Sequence, residues 1–190
     1  LLAQALALQP ARQFRPQPLR AQPAHAEAQQ GIRHQAALGQ TDLLLILDQV
    51  TDPHNVGAIM RSAVAFNAGA LITTARHSPQ ESGVLAKAAS GALELIAHVE
   101  VRNLSDALTE VSALGFQTIG LDSEGSVELE QSFSGKKVAL VLGAEGKGLR
   151  QKTRETVDTL ARLDMPGAIK SLNVSNAAAL SANDNDAEKS

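Results

Sequence analysis

VALVLGAEGKGL, residues 138–149, decides the architecture of this chain. Val138 to Leu142 is an unbroken apolar run, the pattern of a strand buried on both faces of a parallel sheet. It opens directly into a loop, Gly143 to Gly148, whose three glycines suit a place where backbone must approach another group closely. Two nucleotide readings fail on spacing. A phosphate-cradling loop requires a hydroxyl residue after its lysine, and Lys147 is followed by Gly148. A dinucleotide fingerprint has a different glycine spacing and belongs near the first strand, with an acid about twenty residues on. Taken alone, the loop can also be read as a glycine-rich turn with no ligand.

The same texture recurs upstream. LLLIL, residues 43–47, is a second buried-strand run. Asp52 and Pro53 then supply a helix N-cap and a first-turn proline. Val56, Ile59, Met60, Ala63 and Val64 follow at helical spacing, predicting a helix to about Asn67 that Gly69 ends. Further along, the pattern predicts a strand at Ala70–Thr73, a helix at Ser82–Ala89, a strand at Leu93–Val101 and a helix at Leu104–Leu114. Gly115 is read as the stop before a strand at Phe116–Leu121. A polar stretch, Asp122 to Lys137, leads to the strand at 138–142. Beyond the glycine loop come a helix from about Arg150, a strand at Thr159–Leu163, a loop Asp164–Leu172 and a last helix from Val174. Alternation of this kind implies an α/β domain with a mainly parallel sheet flanked by helices.

Bulk properties bound the function. The chain has 190 residues, 44% of them hydrophobic, and a formal net charge of -3, so contact with nucleic acid would be local rather than through overall basicity. It contains no cysteine, which excludes disulfides, thiolate zinc sites and cysteine nucleophiles. The longest apolar run is far shorter than the roughly 20 residues of a membrane span, and the cytoplasm is the expected compartment. Residues 1–40 carry four of the seven prolines and Arg12, Arg15, Arg20 and Arg33 against the single acid Glu27. They read as a linker or the remnant of a preceding domain. The domain itself is placed at 41–181, with 182–190 as a disordered polar tail.

Two other loops accompany the glycine loop. DPHNVGAIMRSA, residues 52–63, places Asn55, Gly57 and Arg61 at the start of a helix. MPGAIKSLNVSNAAA, residues 165–179, combines Pro, Gly and small polar residues before an alanine-rich helix. Each residue has a plain structural reading beside a functional one. Asn55, Asn173 or Ser175 could cap a helix, and Arg61 could extend from an apolar helix face into solvent. His54 lacks a second ligand type at useful spacing, so no metal site is expected.

In order and separation, these segments resemble the three motifs of the SpoU/TrmH family of RNA 2'-O-ribose methyltransferases, within the SPOUT superfamily. The resemblance covers about residues 42–181. It implies a SPOUT-type sheet with a C-terminal trefoil knot, S-adenosylmethionine as methyl donor, no metal, and a homodimer acting on RNA without a membrane. It places the donor against Leu142, Gly143, Gly146, Leu163, Met165 and Leu172, and assigns the reaction site to Arg61, Asn55, Glu145, Asn173 and Ser175. Because arginine stays charged, Arg61 is read as gripping the RNA phosphate and stabilising the developing alkoxide, the proton leaving through another group or water.

GIRHQAA, residues 31–37, is similar to the hinge of members that modify a guanosine of large-subunit ribosomal RNA, so rRNA is favoured over tRNA. Those members carry a separate N-terminal RNA-binding domain. With no Trp or Tyr and four Phe, this chain has little material for base stacking. Two departures from the family pattern bear on activity: Asp164 where a proline precedes the methionine, and a polar sequence soon after Leu180 where a longer apolar helix supports the dimer. Both are features that a non-catalytic RNA-binding module with the same fold would tolerate.

Overall fold

The computed structural model describes residues 42–76, 79, 83–134 and 137–162. Within them, seven strands form one sheet, β1 (Leu43–Asp48), β2 (Ala70–Thr74), β3 (Ala97–Val101), β4 (Gln117–Leu121), β5 (Val127–Glu128), β6 (Val138–Gly143) and β7 (Thr159–Arg162). Their order is β3-β2-β1-β6-β4-β7-β5, and every adjacent pair is parallel. The helices are α1 (Pro53–Ala65), α2 (Gly83–Ala89), α3 (Ala92–Leu95), α4 (Leu104–Ala113), α5 (Leu129–Ser132) and α6 (Gln151–Thr156).

The continuous apolar runs are explained by two cores, one on each face of the sheet. Leu43, Leu45 and Leu47 of β1 pack with Val138, Leu140 and Leu142 of β6 beneath α1, whose Val56, Ile59, Met60 and Ala63 complete that layer. Leu44 and Ile46 point the other way, joining Ala139 and Val141 and the α4 residues Leu104, Ala107, Leu108 and Val111. A strand covered on both faces has no solvent side, so it shows no polar alternation.

Helix α1 begins as its sequence predicts, with the Asp52 carboxylate accepting from the His54 backbone N–H at 2.9 Å and proline in the first turn. It ends differently. Asn67, not Gly69, takes the left-handed conformation, at φ 54°. The Ala68 N–H reaches the Ala63 carbonyl at 2.8 Å and the Asn67 N–H that of Val64 at 3.1 Å, a Schellman closure. Gly69 instead donates to the carbonyl of Leu43. At the end of α4, Gly115 has φ 87° and stops the helix as expected.

Two stretches depart from the sequence reading. Leu93–Val101, expected to be one strand, begins as the helical turn α3 and becomes extended only at Ile96, φ -118° and ψ 142°. Its apolar residues fit both periods, and the left-handed Gly91 that starts α3 decides between them. Asp122–Lys137, read as a polar stretch with no element assigned, contains β5 and α5. Elements of two and four residues are too short to show a period. The loop at 164–172, the last helix and the trefoil knot lie outside the described residues.

Candidate functional site

Loops leave β1 and β6 in opposite directions: β1 leads through α1 to β2 on one side, and β6 through α6 to β7 on the other. The carboxyl ends of two adjacent strands with diverging connections form a crevice, the usual ligand position in an open α/β sheet. Residues of the first and second motifs meet there.

Asn55 stands in the first turn of α1 and Glu145 at the tip of the glycine loop, 90 positions apart, and the Asn55 amide donates to Glu145 Oε2 at 3.4 Å. Arg61 lies further along α1, on the face shared with His54 and Ala58, and its side chain is exposed. Among the described residues no carboxylate is paired with it. Asn55 and Glu145 therefore meet at the carboxyl end of the sheet, and Arg61 follows about 9 Å further along the helix. Leu163, Met165, Leu172, Asn173 and Ser175, together with Asp164, lie outside the described residues.

The glycines of the loop are read from the sequence as marking a close approach of backbone to another group, and at Gly143 that group is the loop itself. It closes on itself: the Gly148 N–H donates to the Ala144 carbonyl at 2.8 Å. A Cβ on Gly143 would lie 2.5 Å from the Leu149 nitrogen and nearer still to the carbonyl carbon of Gly148. The close approach that demands glycine at 143 is thus made by the loop's own return. Gly146, φ 75°, is the position left facing open space. Leu142 is 1% exposed and its side chain belongs to the core, so it offers a ligand only its backbone. Gly57 has a packing role, because a Cβ there would meet Ala88 Cβ at 2.6 Å where α1 crosses α2.

Sequence reasoning missed two residues. Asp48, the last residue of β1, is completely buried and accepts from the Arg150 backbone N–H at 2.9 Å and from Arg150 Nε at 2.6 Å. The available signal was an acid ending the otherwise apolar run LLLILD. Nearby, Arg154 pairs with Asp122 at 3.4 Å and with Glu124 at 3.1 Å, fastening the loop after β4 to α6. Among the described residues no cluster of His, Asp or Glu could hold a metal ion.

Comparison with known proteins places this arrangement. The SpoU rRNA Methylase family matches residues 42–183. The 23S rRNA (guanosine-2'-O-)-methyltransferase RlmB of Ralstonia nicotianae is 45% identical over 133 residues, covering 70% of this chain and 53% of that protein. The protein of the same name from Xylella fastidiosa is 44% identical over 142 residues, covering 75% of this chain and 57% of its own. The chain thus spans about half the length of the curated relatives it matches. Among solved structures, the SpoU methyltransferase AviRb from Streptomyces viridochromogenes superposes with a TM-score of 0.71 at 25% identity, over 77% of this chain and 59% of that one. AviRb in complex with AdoMet gives 0.69 at 25% identity, over 77% of this chain and 57% of that one.

Proposed function

The chain belongs to the SpoU rRNA methylase family, and from that premise we propose that it methylates a ribose 2'-hydroxyl of RNA using S-adenosylmethionine. A guanosine of 23S ribosomal RNA is the favoured acceptor, the substrate class in the names of its relatives. The observation that carries the reading is the Asn55–Glu145 hydrogen bond, which joins two distant motifs at the crevice between β1 and β6.

The described side of the crevice suits an adenosine-type donor. Strand β6 ends in backbone rather than bulky side chains, since the Leu142 side chain turns into the core, Gly143 has none and Gly146 faces open space. Adenine needs edge hydrogen bonds and a dry slot, which amides at a strand end can provide. Leu142, Gly143 and Gly146 would hold it from this side, with Leu163, Met165 and Leu172 assigned to the other by the family pattern. When bound, the donor supplies an activated methyl on a positively charged sulfur.

The chain's own residues have two tasks, alignment of the ribose and stabilisation of its oxygen. Asn55 and Glu145 offer donors and acceptors to the ribose edge, and Asn173 and Ser175 are given the same task by resemblance. Arg61, exposed and permanently charged, binds the adjacent phosphate and stabilises negative charge on the 2'-oxygen. It cannot accept the proton, which leaves through another group or water. On this reading residues 41–181 act as the methyltransferase domain of a cytoplasmic homodimer and residues 1–40 as its linker. Among the described residues no helix is long and apolar enough to cross a membrane.

The test is methyl transfer from labelled S-adenosylmethionine to 23S rRNA and to tRNA, followed by mapping of the modified nucleotide. A 2'-O-methylguanosine in 23S rRNA is expected. Calorimetry that detects no donor binding at millimolar concentration would overturn the reading, leaving an RNA-binding module. Arg61→Ala should lose RNA binding and methyl transfer in equal measure, and a pure turnover defect would refute the phosphate-gripping role.

A further inference from the structure

We propose that Asp48 is the positioning residue of this site, holding the glycine loop and the Asn55 loop at a fixed separation through Arg150. The inference rests on the reading of Asn55 and Glu145 as parts of the reaction site.

A wholly buried carboxylate at the end of β1 is a poor choice for stability alone. Burying a charge is costly unless it is paired and hydrogen-bonded, and an apolar residue at such a position often serves stability as well or better. The five residues before Asp48 in β1 are all Leu or Ile, so the strand itself has no need of a charge. What the carboxylate does is geometric. Gly143, where the glycine loop begins, pairs with Asp48 across the β1–β6 ladder. Arg150, where that loop ends, gives Asp48 both a backbone and a side-chain hydrogen bond, across 102 positions of sequence. Both ends of the loop carrying Glu145 are therefore held at one residue.

The next residue fixes the other loop. Gln49 adopts φ 62°, a left-handed conformation that a non-glycine residue takes at some energetic expense. That turn directs the chain from β1 toward the Asp52 cap and Asn55. Asp48 is thus where the paths to Asn55 and to Glu145 share a rigid point, and the 3.4 Å contact between those side chains depends on it.

The absence of cysteine in the sequence makes a distance test direct. Spin labels attached at His54→Cys and Lys147→Cys, both exposed positions outside the proposed chemistry, report the separation of the two loops while Asn55 and Glu145 stay intact. Asp48→Asn can accept from only one of the two Arg150 donors and turns an amide NH2 toward the other, so the loop exit should be released. The expected result is a longer or broader distance distribution, with kcat for methyl transfer falling about 100-fold while the donor KM changes little. Arg150→Ala, which keeps the backbone donor and removes Nε, should move both readouts the same way by less, and it decides the matter if Asp48→Asn does not fold. Asp48→Asn and Glu145→Ala should be non-additive in kcat, because the first acts through the second. An unchanged distance distribution in a folded variant overturns the inference whether or not methyl transfer is detected, and additive losses overturn it as well. Failure of the unsubstituted chain to methylate RNA counts against the functional reading alone, and the distance measurement still decides the role of Asp48.

Discussion

Gly143→Ala tests whether the glycine loop is a closed structural unit. The added Cβ would lie 2.5 Å from the Leu149 nitrogen and closer than that to the carbonyl carbon and oxygen of Gly148. All three are backbone atoms, so no rotamer change relieves the contact. Reaching an ordinary separation of about 3.5 Å needs a backbone shift of at least about 1 Å. Overpacking costs about 1–3 kcal/mol, and rigid backbone on the opposing side argues for the upper end. At about 2–4 °C per kcal/mol for a chain of this size, Tm should fall by about 6–12 °C. The displaced loop carries Glu145, whose contact with Asn55 is already 3.4 Å, so methyl transfer should drop about 100-fold. Gly146→Ala is the comparison for stability alone, since Gly146 is itself a proposed donor contact: it has open space but φ 75°, and its left-handed strain costs about 1–2 kcal/mol. Thermal denaturation followed by circular dichroism, with methyl transfer on the same samples, measures both. If Gly143→Ala kept its Tm and activity, or lowered Tm less than Gly146→Ala, the loop could not be closed in this way.

Gly57→Ala sets a gain in helix propensity of about 1 kcal/mol against a 2.6 Å clash with Ala88 and 2.7 Å contacts to backbone of α2. A net loss of about 1–2 kcal/mol is expected in urea titrations, and a gain would mean that α1 and α2 separate freely. Asp52→Ala removes the acceptor of the His54 N–H and should lower stability by about 1 kcal/mol, whereas Asp52→Ser should recover most of it. His98, in contact with Thr73 Oγ1 at 2.8 Å, has its imidazole pKa held below the ordinary 6.5 by burial. The unfolded chain therefore binds that proton more readily. Its contribution is complete above pH 6.5 and is lost as the pH falls through the lowered folded-state value. The loss is bounded at about 1.4 kcal/mol per pH unit. Urea midpoints of His98→Gln should fall less steeply than those of the parent as the pH drops below 6.5, and equal slopes would refute the assignment.

The local framework of the candidate site is legible in the sequence. Asp52 and Pro53 announce the start of α1 because capping is a local hydrogen bond between near neighbours. The three motif segments point to one family by order and spacing, and the family match at 42–183 agrees with that reading. Asp48 and Arg150 are invisible as a pair because nothing local connects positions 102 apart. Gly143 is legible as a tight place, but the group that approaches it, Gly148, becomes evident only when the loop closes.

The sequence by itself determined the class of the fold. Runs such as LLLIL and VALVL have no solvent side, which requires a sheet covered on both faces, and the intervening helical periods supply the cover. The order β3-β2-β1-β6-β4-β7-β5 was decided by tertiary structure alone. Strand ladders are made by backbone groups that every residue shares, so a strand's sequence says which faces are buried and not which strand lies beside it. That order sets β1 against β6, and with it Asn55 against Glu145 and Asp48 against Arg150.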